Sequence, residues 1–188
     1  MPRNSAKNRR TAERVVAAAC RSFPPVAADN PRALILGSMP GVKSLAAGEY
    51  YAHPQNAFGK ILSTLFDMPA GDYAQRLRII TENNLALWDV LKYCEREGSL
   101  DSAIDGTSIE VNDFAALLTQ HKNIRRVFLN GGKAAQEFKR RVLPDLPREI
   151  TARLKITQLP STSPAHAGMT FADKAAAWSI ISDFEVLK

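Results

Sequence analysis

Cysteine and histidine are scarce in this chain: two cysteines and three histidines in 188 residues. Cys20 and Cys94 stand apart without CxxC spacing, so neither a disulfide framework nor a cysteine-held zinc or iron-sulfur site is expected. His53, His121 and His166 lack HxxxH or HxE partners, which removes the usual zinc chemistry, and no metal is expected. No GxSxG elbow surrounds any serine, which weakens a small-molecule α/β hydrolase. Neither GxxxxGK[ST] nor GxGxxG occurs, so the loops that cradle nucleotide phosphates are missing. No apolar run reaches the roughly 18 residues of a membrane span, and the opening MPRNSAKNRR has no apolar core behind its charges as a signal peptide would. A cytoplasmic protein without membrane contact is expected. A chemistry that needs no metal, cofactor or covalent serine is preferred.

What is present is a modest excess of positive charge, 25 Lys and Arg against 19 Asp and Glu, for a net charge of +6. Such a balance favours a polyanionic partner without requiring one. With 45% hydrophobic residues the chain can bury the core of one ordinary domain. The expected organisation is a basic tail and first helix over residues 1–30, the helix lying around VVAAACRSF, then one α/β domain over 31–188. Arg3, Lys7, Arg9 and Arg10, with no acidic residue among them, form either a tail or an arm that adds phosphate contacts. If an arm, its removal weakens binding to all nucleic-acid sequences alike and flattens the salt dependence, which titrations at several salt concentrations read directly.

Four short apolar runs read as strands: ALILG from Ala33, LALWDV from Leu85, RVFLN from Arg126 and KITQLP from Lys155. Helix-like segments lie between and after them, over residues 57–66, 73–82, 112–121, 132–142 and 171–184, with Asn112 and Asp113 placed to cap the third. Alternation of this kind predicts a three-layer α/β/α sandwich around a central four-stranded, mostly parallel sheet. In open α/β sheets the ligand site lies outside the carboxyl ends of the strands. The residues there are GSMPG from Gly37, Asp89, NGG from Asn130, and STSP from Ser161, a polar and glycine-rich rim.

GSMPG lets backbone N–H groups approach a ligand around Ser38, or is only a strand-to-loop turn. NGGKAA offers a helix N-terminus with Lys133 to an anion, or a tight turn into an ordinary helix. In PSTSPAHAGM the hydroxyls of Ser161, Thr162 and Ser163, with His166, suit neutral contacts to phosphate oxygens, or form a connector to the last helix. Met169 is either a wedge for a base stack or an apolar cap on that helix.

YYAHPQNAF, residues 50–58, follows the first strand and its loop and fits neither strand alternation nor helical spacing, so its aromatics suit a pocket wall better than a core. With GSMPG and PSTSPAH on the same rim, the chain resembles the uracil-DNA glycosylase superfamily, and within it the hypoxanthine-DNA (deoxyinosine) glycosylase branch. The likeness runs from about Arg32 to Leu187. Mismatch-specific relatives carry G-x-N-P-G followed by F-A-H-P-x-N-x-F-W, a spacing kept here by residues 37–41 and 51–58. WDVLKYCEREGSLDSAI, residues 88–104, is similar to the deoxyinosine branch.

The resemblance implies an enzyme that flips a deaminated base from double-stranded DNA and hydrolyses the N-glycosidic bond, leaving an abasic site. Flipping is needed because the reacting atom is unreachable inside the stack. It implies a monofunctional, cofactor-free glycosylase acting as a monomer on hypoxanthine, with uracil a second candidate base. Tyr51 matches the stacking aromatic and Asn56 the amide expected to orient the attacking water. Asp89 sits where relatives place a base-reading amide or acid. As a carboxylate it would accept from a base N–H, with Ser38 meeting the base carbonyl; otherwise it is a structural acceptor. Asn130 ranks below these, as a turn residue.

Three positions depart from the family pattern. Met39, grouped with the base-binding residues, stands where mismatch-specific relatives have their catalytic Asn. Leu159 stands where the uracil-specific relatives have the His of an HPS-type motif. Gly59 replaces the Trp after NAF, which either enlarges the pocket or loosens packing. The departures favour purine excision over strong uracil specificity, and they leave a rival: a non-catalytic binder of damaged or single-stranded DNA with the same fold.

Overall fold

The computed structural model describes residues 17–183. The basic segment with Arg3, Lys7, Arg9 and Arg10 lies outside the described residues. The four expected strands are all present and mutually parallel. They are β3 (Ala33–Gly37), β4 (Leu85–Asp89), β7 (Arg126–Asn130) and β8 (Lys155–Leu159), side by side in the order β4-β3-β7-β8. Every residue of β3 and β4 is buried, as in a sheet covered on both faces, and the chain is a three-layer α/β/α sandwich. The sheet holds five strands rather than four. The short β2 (Val26–Ala27) adds an antiparallel edge beside β4, and two residues leave too little apolar pattern to be read from sequence.

The helix expected ahead of the domain is instead a strand, β1 (Ala18–Arg21). It pairs antiparallel with β5 (Leu91–Arg96), which pairs in turn with β6 (Glu110–Val111) to make a second sheet. Only Cys20 of β1 is buried, so long-range pairing decides a segment whose alanines would as readily have been helical. The pairing also corrects the isolation of the cysteines, because Cys20 and Cys94 are direct cross-strand partners. Both are buried free thiols, and burial, with Cys20 beside it, pushes the Cys94 thiol up to about 11.

The helices follow their local signals. After the short α1 (Val42–Ala47), α2 (Phe58–Phe66) buries Phe58, Ile61 and Leu62, an i, i+3, i+4 stripe. α3 (Tyr73–Glu82) starts on a capping box of Asp72 and Gln75. Asp113 caps α4 (Phe114–Gln120), whereas Asn112 is buried and donates to the carbonyls of Asp89 and Leu91 at 2.8 and 3.3 Å. α5 (Gly132–Glu137) runs on as a π-helical stretch, Phe138–Val142, followed by the single turn α6 (Arg148–Thr151). α7 (Phe171–Trp178) starts on a Thr170–Asp173 capping box and ends in the 3₁₀ turn Ser179–Ile181.

The chain changes sheets at Val90, where Val90 N–H donates to Gly37 O and Leu91 N–H to Ser38 O, at 2.9 and 3.0 Å. These two bonds hold the end of β4 against the end of β3 and set Asp89 beside Gly37.

Candidate active site

Outside the carboxyl ends of β3, β4, β7 and β8 lies a cavity of about 590 Å³. Ser38, Met39, Tyr51, Asn56 and Asp89 line it, as do Ser161, Thr162, Ser163 and His166. Met169 does not. It is half-buried and lines a separate groove with Lys60 and Phe171, so the large apolar side chains exposed at the cavity mouth are Val42 and Leu100.

Tyr51 has a left-handed backbone, φ 54°, uncommon for a non-glycine residue and a local strain the surrounding contacts must hold. One face of its ring stacks on Phe58 at 4.0 Å between centroids, and Phe58 meets Trp178 edge-on at 5.9 Å. Its hydroxyl accepts from Asn130 Nδ2 at 3.0 Å, and burial, with Asp89 nearby, pushes its ionisation well up, so the phenol stays neutral. Asn130, ranked low from sequence, is the hub of this wall. Its Nδ2 also donates to Thr162 Oγ1 at 2.9 Å, and its Oδ1 accepts Thr162 N–H at 2.9 Å. Thr162 is therefore a buried structural residue rather than a phosphate contact. Its carbonyl accepts from Ala57 N–H, tying the β8 loop to the start of α2.

Asn56 Oδ1 accepts Phe58 N–H at 3.0 Å, which fixes the side chain over the first turn of α2. One oxygen lone pair and the amide protons are left for other partners. His53 makes the bend before it: its carbonyl accepts Asn56 N–H at 2.8 Å and its Nδ1 accepts Gln55 N–H at 3.1 Å, so the neutral ring carries its proton on Nε2.

Ser38 is already engaged. Its hydroxyl donates to both carboxylate oxygens of Asp101 at 2.8 Å, so in this arrangement it can accept from a base but not also donate to its carbonyl. Asp101 opens a 3₁₀ turn, Asp101–Ala103, on the far wall; burial raises its pKa, against the Ser38 hydrogen bond and the charges of Arg96 and Lys133. Arg96 is a fully buried guanidinium behind that wall. Its Nη2 donates to Pro40 O at 2.5 Å and its Nε to Gly98 O at 3.0 Å, while Nη1 has no hydrogen-bond partner among the described residues. Sequence reasoning missed both residues, although both lie in WDVLKYCEREGSLDSAI, a run in which it gave a role to Asp89 alone.

Asp89 is 3% exposed, and its Oδ2 has no hydrogen-bond partner among the described residues. Burial, then the Asp101 charge, push its carboxyl up to about 8, with Arg96 pulling the other way. The shift favours the neutral acid, which can donate a hydrogen bond, over the carboxylate, which can only accept one. The remaining departures resolve by position. Met39 is buried at the cavity wall, and Leu159 is a core residue at the end of β8. A Cβ on Gly59 would come 3.0 Å from Arg76 Cδ, so the missing Trp makes room for Arg76, which pairs with Glu49 at 2.9 Å, not for a larger pocket. Lys133, considered for an anion site, is paired with Glu137 at 2.7 Å.

No described helix is long and apolar enough to cross a membrane, and the described residues contain no cluster of three or more His, Cys, Asp or Glu that could hold a metal. The profile of the Uracil DNA glycosylase superfamily matches residues 24–183. Two proteins named hypoxanthine DNA glycosylase, from Methanosarcina barkeri and Methanosarcina acetivorans, are 37% and 36% identical over 118 residues. Each alignment spans 62% of this chain and 73% of the relative. The solution NMR structure of a candidate uracil DNA glycosylase from Methanosarcina acetivorans superposes with a TM-score of 0.71 at 30% identity. It covers 89% of this chain and 99% of that one.

Proposed function

The chain belongs to the uracil DNA glycosylase superfamily, and from that premise we propose that it is a monofunctional DNA glycosylase that flips hypoxanthine out of duplex DNA and hydrolyses its glycosidic bond. The observation that carries the reading is the meeting of Tyr51, Asn56 and the buried Asp89 in one cavity at the strand ends. The names of the Methanosarcina relatives support the choice of base. Uracil is a second candidate.

In this reading the flipped base lies against Tyr51, whose ring is held from behind by Phe58 and at its hydroxyl by Asn130. Asn56 orients water toward C1′, its side chain fixed in advance by Phe58 N–H. As the bond breaks, positive charge develops on the sugar and negative charge on the base, so donors aimed at the base lower the barrier. Ser161, Ser163 and His166 on the opposite rim contact backbone phosphates. The protein acts alone, without a cofactor.

Incubating labelled duplexes that contain hypoxanthine, uracil, xanthine or a G·T pair, then cleaving abasic sites with alkali, tests this directly. Strand breaks at hypoxanthine are expected. Binding without breaks on any substrate would instead favour the non-catalytic binder. Tyr51→Ala is expected to weaken capture of the flipped base by roughly 1–3 kcal/mol, the worth of one base–aromatic stack. A rise in the half-saturating duplex concentration reads it.

A further inference from the structure

We propose that Asp89 is the proton donor to the departing base, placing its acid hydrogen on N7 of a purine as the bond to C1′ breaks. The inference rests on the glycosylase reading and deepens it by assigning the acid and the base class. A buried carboxyl on the cavity wall, whose Oδ2 meets no hydrogen-bond partner among the described residues, lacks a structural explanation for its polarity.

Burial and the nearest negative charge favour the neutral form, against one buried cation. Asp101, on the 3₁₀ turn across the cavity, adds negative charge, and burial adds to the penalty on ionisation. From the loop after α1 come Tyr50 and Tyr51, both neutral because burial holds their phenols protonated. β7 contributes the uncharged amide of Asn130. Arg96 of β5 is a cation acting on Asp89 in the opposite sense, and it acts on Asp101 as well. Lys43 of α1 and the rim histidines, His53 and His166, are the other titratable groups lining the cavity.

The step balances. Asp89 transfers H⁺ to N7, the C1′–N9 electron pair stays on N9, and the purine leaves neutral. Water held by Asn56 bonds to C1′, and its released proton returns to the Asp89 carboxylate. N7 protonation makes a purine a far better leaving group than the bare anion. A pyrimidine has no N7, so the same acid gives it less, which matches the departure from the uracil-specific pattern at Leu159.

The test compares the parent protein with Asp89→Asn on duplexes carrying 2′-deoxyinosine and N7-methyl-2′-deoxyinosine, whose base is already cationic and needs no added proton. Rates without enzyme are subtracted. Single-turnover excision of hypoxanthine by the parent is expected to fall as pH rises above about 8. The variant loses at least about 100-fold on hypoxanthine together with that alkaline limb, general acids contributing this much or more, but loses less than about tenfold on the methylated base.

Folding is controlled by melting. The raised native pKa means that the folded protein keeps a proton the unfolded chain releases near 3.8, so this group's contribution to stability declines from about pH 4 to about pH 8. The Asn variant lacks that decline and should melt no lower than the parent at pH 7. Equal losses on both substrates, or an unchanged rate on hypoxanthine, would overturn the acid role. A parent that releases neither base would remove the glycosylase reading itself, a distinguishable failure.

Discussion

Asn56→Ala is expected to cut base release by at least about 10²–10³-fold while duplex affinity changes little. The magnitude is that of losing one preorganised polar group aimed at the reacting centre. Met39 stands where mismatch-specific relatives have an amide, and Asn130 commits both amide protons to Tyr51 and Thr162. Asn56 is thus the amide on the cavity wall left to hold water. The substitution also removes the acceptor for Phe58 N–H, an N-cap-like bond worth about 0.5–2 kcal/mol. Asn56→Asp separates the two effects, since a carboxylate still accepts from Phe58 N–H at the start of a helix. A variant that melts like the parent yet has lost excision assigns the loss to chemistry. Full activity in Asn56→Ala would end the assignment.

Gly37→Ala is expected to be the most damaging addition of a single methyl group near the site. A Cβ there would overlap Asp89 Oδ1 and come within 3.0 Å of the Tyr51 hydroxyl. Neither neighbour can withdraw freely. Tyr51 is held by Asn130 and by the Phe58 stack, and Asp89 is fixed where Val90 N–H bonds to Gly37 O. Overpacking of this kind costs about 1–3 kcal/mol, or about 2–4 °C in Tm for each kcal/mol in a chain of this size. Excision should drop further than stability, because in the proposed reading the displaced groups face the base. Gly106→Ala, where a Cβ meets nothing within 4 Å, is the matched control and should change Tm little. Equal effects at the two positions would contradict the packing argument.

The central strands were legible because buried parallel strands are short, nearly continuous apolar runs, and β3 and β7 match ALILG and RVFLN residue for residue. Their ends named the rim, since topology places ligands there whatever the motif. The second sheet was not legible. β1 carries alanines that suit either state, and its strand form exists only through pairing with β5, about 75 positions away by register. For the same reason Cys20 and Cys94 looked isolated. Asp101 and Arg96 escaped notice because nothing local distinguishes a surface-type charged residue from one folded behind a cavity wall. Thr162 and Asn130 were misjudged in opposite directions, since a hydroxyl in a polar loop and an Asn before two glycines each have an ordinary local explanation.

By itself the sequence determined the α/β class, the four parallel strands, the rim, and through the long spaced match of GSMPG with YAHPQNAF, the family. These follow from local periodicity and from spacing along the chain, which a sequence carries in full. Only the tertiary structure decided which rim residues are free to act. Hydrogen-bond commitment and desolvation depend on what the chain brings from elsewhere: Asp101 accepts the Ser38 hydrogen bond, Thr162 and Tyr51 accept from the Asn130 amide, and burial near Asp101 raises the Asp89 pKa.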